Sequence, residues 1–334
     1  MPGNANDESG AAVEALLRQA APRITPPAED ERLVRQAVEA EWQSVVRGRK
    51  SRFSRAVAAV AASVLAAIVL VQYSTWQSTN SRAIDLADVD KRRGTVNLVV
   101  NGSGKQRLGA NTIQSGQLVE TGPDSALGLA WNTGGSLRLD QDTLLEFIDR
   151  ETVFLHRGRI YFDSLGIAEG AQFVVDTTLG TVTHIGTQFM TSAGNRELVV
   201  SVREGSVKID GRYFDETAHR GKQVLMRGSM RPVTVDLAPH SSTWAWTEAL
   251  SPGIDLDNRS VLEFLKWVSR ETGYALDFDS AMAESHAADN FLFGMVKTDP
   301  RTALRLRLLT TDLDYSISAA SGTITVRLAE QGQP

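Results

Sequence analysis

The chain has 334 residues, 42% hydrophobic and 22% charged, which excludes whole-chain disorder and collagen-like repeats and leaves room for about two domains and a tail. Its 35 basic residues against 40 acidic ones give a net charge of −5, without the basic footprint of a dedicated nucleic-acid binder. Cysteine is absent, and with it disulfides, zinc–thiolate sites, thiol nucleophiles and lipidation on Cys.

Residues 1–10 are small and polar and are expected to lack structure. Ala11 to Ala20 has helical composition and stops near Pro22. A second helix is expected to begin around Thr25-Pro26-Pro27, because proline is tolerated in a first turn, with Glu29, Asp30 and Glu31 at the positive end of its dipole. Val34, Val38, Trp42 and Val45 follow at spacings of four, four and three, which puts them on one face. A tail over 1–54 has little area with which to build its own core. The stripe therefore pairs with the first helix, runs on as a juxtamembrane helix, or docks into a partner's apolar groove.

The run from Ala56 to Val71 is apolar except for Ser63. With Gln72 and Tyr73 it makes roughly 24 to 27 Å of helix, against a hydrocarbon core of about 30 Å. Phe53, Arg55, Tyr73 and Trp76 extend its reach into the headgroups. A transmembrane helix over 55–73 is expected, making the lipid bilayer the first partner. Arg47, Arg49, Lys50, Arg52 and Arg55 precede the run with no acid among them, and the next basic residue is Arg82. By the positive-inside rule the N-terminus faces the cytoplasm and the bulk of the chain lies across the membrane.

Beyond a linker over 74–94, the hydrophobic period changes to two. Ser136-Leu137-Arg138-Leu139, Leu198 to Val202 and Val207-Lys208-Ile209 alternate, and glycine-containing breaks separate the short runs. Residues 95–236 are expected to form an antiparallel sandwich or jelly roll. Trp244 and Trp246 mark a second linker over 237–252. Residues 253–330 then read as a small α+β domain: a helix over 258–272 stopped by Gly273, a strand from Tyr274 to Phe278, a helix capped by Asp299-Pro300, and strands Leu313 to Ser318 and Thr323 to Leu328. The expected class is a single-span membrane protein with a short helical tail, a mainly β external domain and a small α+β domain.

Chemistry is absent from the pattern. His156, His184, His219, His240 and His286 stand far apart, with no HExxH pattern, nucleophile elbow, phosphate loop or dinucleotide turn. No catalytic, metal or cofactor residue is assigned, and the chain is not expected to be an enzyme.

Several segments together resemble the FecR family of single-span sigma-factor regulators. They are Ser115 to Gly122, Ser136 to Asp140, Val153 to Asp163, Phe173 to Met190 and Leu198 to Ile209. Gly186-Thr187-x-Phe189 and Glu204-Gly205-x-Val207 are the most specific of the shared elements; Gly158 and Phe162 belong to the same pattern. The glycines are expected to serve turns or bulges, and the phenylalanines the core. The last 80 or so residues are similar to the short N-terminal domain of secretins and TonB-dependent transducers. The resemblance implies a bacterial inner-membrane protein whose periplasmic part senses an outer-membrane TonB-dependent transducer. It also implies a cytoplasmic tail that binds an extracytoplasmic-function sigma factor, with no direct contact to nucleic acid. The usual family tail is longer and richer in tryptophan than this one, in which Trp42 stands alone. The competing expectation is a membrane-anchored periplasmic module that binds a ligand or protein and has no regulatory tail.

Overall fold

A computed structural model describes residues 32, 34–39, 41–42, 83–100, 104–165, 167, 170–211 and 213–329. The chain divides into two compact units, Met1–Arg82 and Ala83–Pro334. In the first, residues 34–39 are helical, as are 41 and 42. The span expected over 55–73 lies outside the described residues. Among the described residues no helix is long and apolar enough to cross a membrane.

The second unit is mainly β. Its design follows from three long strands, Thr152–Asp163, Gly180–Ala193 and Glu197–Gly211, each of which pairs with different neighbours along its two halves. The first half of Thr152–Asp163 pairs with Leu144–Phe147 and Val174–Thr177; its second half pairs with Ser136–Leu139 and the end of Gly180–Ala193. Similarly, Glu197–Gly211 gives its first half to Lys222–Arg227 and its second to Asp215–His219. One sheet thereby folds into two layers around a single core. Leu137, Phe162, Phe189 and Val202 fill it from one layer, and Leu145, Val153, Val175 and Val207 from the other. Within this sheet the pairings are antiparallel except between Val174–Thr177 and Thr152–Asp163. The result is a sandwich whose layers share strands.

Each long strand changes layer at a glycine: Gly158, Gly186 and Gly205 have φ of 97°, 61° and 73°. Register shifts accompany these bends, one opposite Leu144/Leu145 beside Gly158 and one between Ile185 and Phe189 that takes in Gly186 and, on the paired strand, Gly205. A side chain on Gly158 would overlap Thr143, and one on Gly205 would overlap the Gly186 carbonyl. Both positions thus need the missing Cβ as well as the left-handed backbone.

The segment expected as a linker over 74–94 carries a strand, Asp85–Arg93, paired with Thr112–Gln114 on one side and Ala126–Trp131 on the other. Its charges occupy positions of intermediate or full exposure while Leu86 and Ala87 are buried. That charge density gives the strand the composition of a linker. The stretch expected as a linker over 237–252 is likewise packed. A 3-10 turn, Ser242–Trp244, runs into the helical turn Ala245–Glu248, and Trp244 is buried against Tyr161 and Met190.

The C-terminal part holds three helices, α1 (Val261–Thr272), α2 (Ala281–Asp289) and α3 (Pro300–Leu308). Its three-stranded sheet has the order Ala275–Phe278, Thr323–Leu328, Leu313–Ser318. Ser260 and Glu263 form a capping box at the start of α1, and Gly273 ends it in the left-handed conformation. The helix starts later than the expected 258, because Asn258 has a φ of 63° and Arg259–Ser260 pairs with Phe291–Leu292. Helix α2 was not expected: it buries only Ala283 and Ala287 and shows little hydrophobic period. Asp299 caps α3, accepting from the Thr302 amide at 2.9 Å, with Pro300 in the first turn. Phe264, Leu265, Val268, Leu304, Ile324 and Val326 form a second core.

Candidate functional site

The outer face of one β layer is covered by the C-terminal part, and the seam between them is built of charge. Strand alternation explains how. Leu137 and Leu139 lie opposite Phe162 and Ile160 and point into the core, so Arg138, opposite Tyr161, points outward. By the same period Val202 is inward and Arg203 outward. The C-terminal part then closes over both arginines, which are 0% and 2% exposed.

Arg138 Nη2 donates to Glu271 Oε2 of α1 at 2.7 Å, and its Nη1 donates to the Thr247 carbonyl at 2.9 Å. Burial opposes the Arg138 charge, but the attraction of the Glu271 carboxylate outweighs it and holds the guanidinium's pKa above its ordinary value. Arg203 Nη1 donates to the Glu271 backbone carbonyl at 3.0 Å. Its guanidinium lies 4.8 Å from the Trp244 ring centroid and 5.6 Å from that of Tyr161, in the range of cation–π attraction. Burial pushes the Tyr161 phenol above its usual range, and its hydroxyl finds no hydrogen-bond partner among the described residues.

A second cluster surrounds Arg270, one residue earlier on α1. Its Nε and Nη2 engage the two carboxylate oxygens of Asp163, and its Nη1 reaches Glu204 Oε2 at 2.6 Å. Gln188 Nε2 braces Asp163 Oδ2 at 2.8 Å. Desolvation is the largest influence on Arg270 and lowers its pKa; the bond to Asp163 and the charges around it prevail, and the pKa is raised. Farther along, Arg301 of α3 forms a two-point pair with Glu248, at 2.7 and 3.0 Å. A cleft of 630 Å³ runs along α1, lined by Leu129, Leu165, Leu250, Trp267 and the Asp163–Arg270 pair.

The residues expected to matter from the sequence distribute as follows. Val34, Val38 and Trp42 are exposed on the tail helix, by 63, 62 and 66%. Val45 and the basic residues Arg47, Arg49, Lys50, Arg52 and Arg55 lie outside the described residues. Phe162 and Phe189 are core; Phe162 stacks on Phe173 with centroids 3.7 Å apart. Thr187 is buried beside the Gly186–Gly205 contact, and Glu204 turns outward to Arg270. Arg138, Arg203, Asp163, Arg270 and Glu271 did not stand out from the sequence as a group. The available signal was an arginine set among apolar residues in two stretches, Leu137-Arg138-Leu139 and Leu198 to Arg203.

The histidines remain dispersed: His184 is in the core, His156 meets Glu146, His219 meets Ser206 and His240 meets the Ala319 carbonyl. Among the described residues no group of three or more His, Asp or Glu gathers to hold a metal ion.

Residues 117–208 match the model of the FecR family, described as FecR protein. Two crystal structures, each of a candidate anti-sigma factor from Parabacteroides distasonis ATCC 8503, are similar. One is 16% identical, with 64% of this chain and 99% of that chain covered and a TM-score of 0.35. The other is 18% identical, with 74% and 99% covered and a TM-score of 0.28. At those scores neither likeness bears on function. No curated protein matches the chain.

Proposed function

Starting from a chain that carries a FecR domain over residues 117–208, we propose that it is a transmembrane signal transducer regulating a sigma factor of the extracytoplasmic-function type. The FecR domain carries this reading. In it, the apolar run over 55–73 spans the bacterial inner membrane once, the basic cluster from Arg47 to Arg55 keeps the N-terminus in the cytoplasm, and the β-rich unit is periplasmic.

The cytoplasmic contact is assigned to the tail helix. Val34, Val38 and Trp42 present an apolar face at helical spacing that nothing described covers, a form suited to an apolar groove on a sigma factor. The periplasmic contact is assigned to the C-terminal part, read as a module similar to the short N-terminal domain of secretins and TonB-dependent transducers. Its partner would be the signalling domain of an outer-membrane transducer. Transmission needs two states of the periplasmic unit with different partner affinities, and the charged seam offers a joint between its parts.

Two experiments test this. Val38→Asp with Trp42→Asp is expected to abolish capture of a co-expressed sigma factor in a pull-down, and unchanged capture would remove the tail mechanism. A reporter enzyme active only in the periplasm, fused after Trp76, is expected to be active. Silence would overturn the membrane arrangement.

A further inference from the structure

Arg203 is buried in the seam and has no carboxylate partner among the described residues. Its Nη1 is used by the Glu271 carbonyl, and its Nε and Nη2 have no hydrogen-bond partner among the described residues. The carboxylate of Glu271, whose backbone carbonyl Arg203 meets, is committed to Arg138. A buried cation in that position is costly unless something supplies the opposite charge.

Beside it lies a cavity of 250 Å³ between the strand Glu197–Gly211 and α1, lined by Arg203, Arg220, Lys266, Arg270 and Glu204 among others. Arg220 sits on the turn after Asp215–His219, held by its amide to the Gly205 carbonyl at 2.9 Å. Neither Arg220 nor Lys266 forms an ion pair with the described residues, whereas Arg270 is shared by Glu204 and Asp163. Four cations thus face two carboxylates, one of them behind Arg270. The excess is two positive charges around a space of small-molecule size.

We propose that this cavity binds a dianion of the phosphate class, inorganic phosphate or a small phosphomonoester, held by Arg220 and Lys266 with Arg203 behind it. Charge-assisted N–H···O bonds to arginine and lysine suit such an oxyanion. Arg203 and Arg220 belong to the β layers and Lys266 to α1, so the bound anion bridges the seam and favours its closed form. This inference does not depend on a sigma-factor role.

The test uses the full chain in detergent micelles at fixed ionic strength. Inorganic phosphate and glycerol phosphate are titrated separately by calorimetry, and the thermal midpoint is followed alongside. Saturable binding of either, with a rise in midpoint, is expected, and the tighter of the two identifies the source. Lys266→Gln with Arg220→Gln replaces exposed side chains that make no ion pair, and is expected to weaken binding at least tenfold. Absence of saturable binding by both probes, or binding unchanged in the double variant, would overturn the proposal.

Discussion

Glu271 reaches Arg138 across 133 positions of sequence, with Oε2 2.7 Å from Nη2 and both side chains buried. This pair ties α1 to the outer face of the sandwich, and Arg270 repeats the tie one residue earlier. An ion pair taken out of water gains little net free energy, because desolvation offsets the attraction. It does, however, penalise any arrangement that leaves one partner alone. The seam is therefore selective about geometry more than it is strong.

Removing one member of that pair should be far worse than removing both. Glu271→Met or Arg138→Met is expected to cost about 3–5 kcal/mol, since each strands a buried charge. The double variant Arg138→Met with Glu271→Met should recover much of the loss. Urea unfolding of the four proteins provides the cycle; strictly additive losses would show that the two charges do not depend on each other.

The strand bends supply a second contrast. Gly205→Ala must place a Cβ on the Gly186 carbonyl as well as hold a left-handed backbone, and is expected to cost about 2–4 kcal/mol. Gly186→Ala meets nothing within 4 Å and should lose only the conformational part, about 1–2 kcal/mol. Thermal unfolding midpoints rank the two, and equal losses would show that close approach is not what Gly205 provides.

His184 makes the sandwich sensitive to acid. Burial lowers its pKa from the ordinary 6.5, and its Nδ1 accepts the Phe173 amide at 2.9 Å. The folded chain thus holds the ring neutral, while the unfolded chain takes up a proton near 6.5. Below that pH the unfolded state binds more protons, so this contribution is fully present above 6.5 and is lost as the pH falls. His184→Leu should flatten the decline in unfolding midpoint between about pH 7.5 and about pH 5.5. A slope the same as that of the parent would assign the acid sensitivity elsewhere.

Much of the β pattern was legible because alternation is a local property: Leu137 and Leu139 announce a buried face whatever lies beyond it. The α+β end was equally readable where caps are written in the chain, as at Asp299-Pro300 and Gly273. Long-range facts were not. The same alternation that placed Leu137 inside placed Arg138 outside, and nothing local says that a helix more than 120 residues later covers it. Asp85–Arg93 escaped notice because its many charges disguise the period. Helix α2 escaped because alanines at Ala283 and Ala287 bury a face without large side chains. The three bent strands were visible as glycine breaks, but that each serves both layers depends on partners distant in sequence.

A joint closed by Arg138, Arg203, Asp163 and Arg270 has a consequence for what happens when it parts. Two bodies sealed by leucines would expose sticky surface on separating and tend to aggregate. Here much of what separation uncovers is ionic, and water solvates ions well. Parting would also bare Trp244, Tyr161 and Met190, so the ionic groups lower the penalty of separation without removing it.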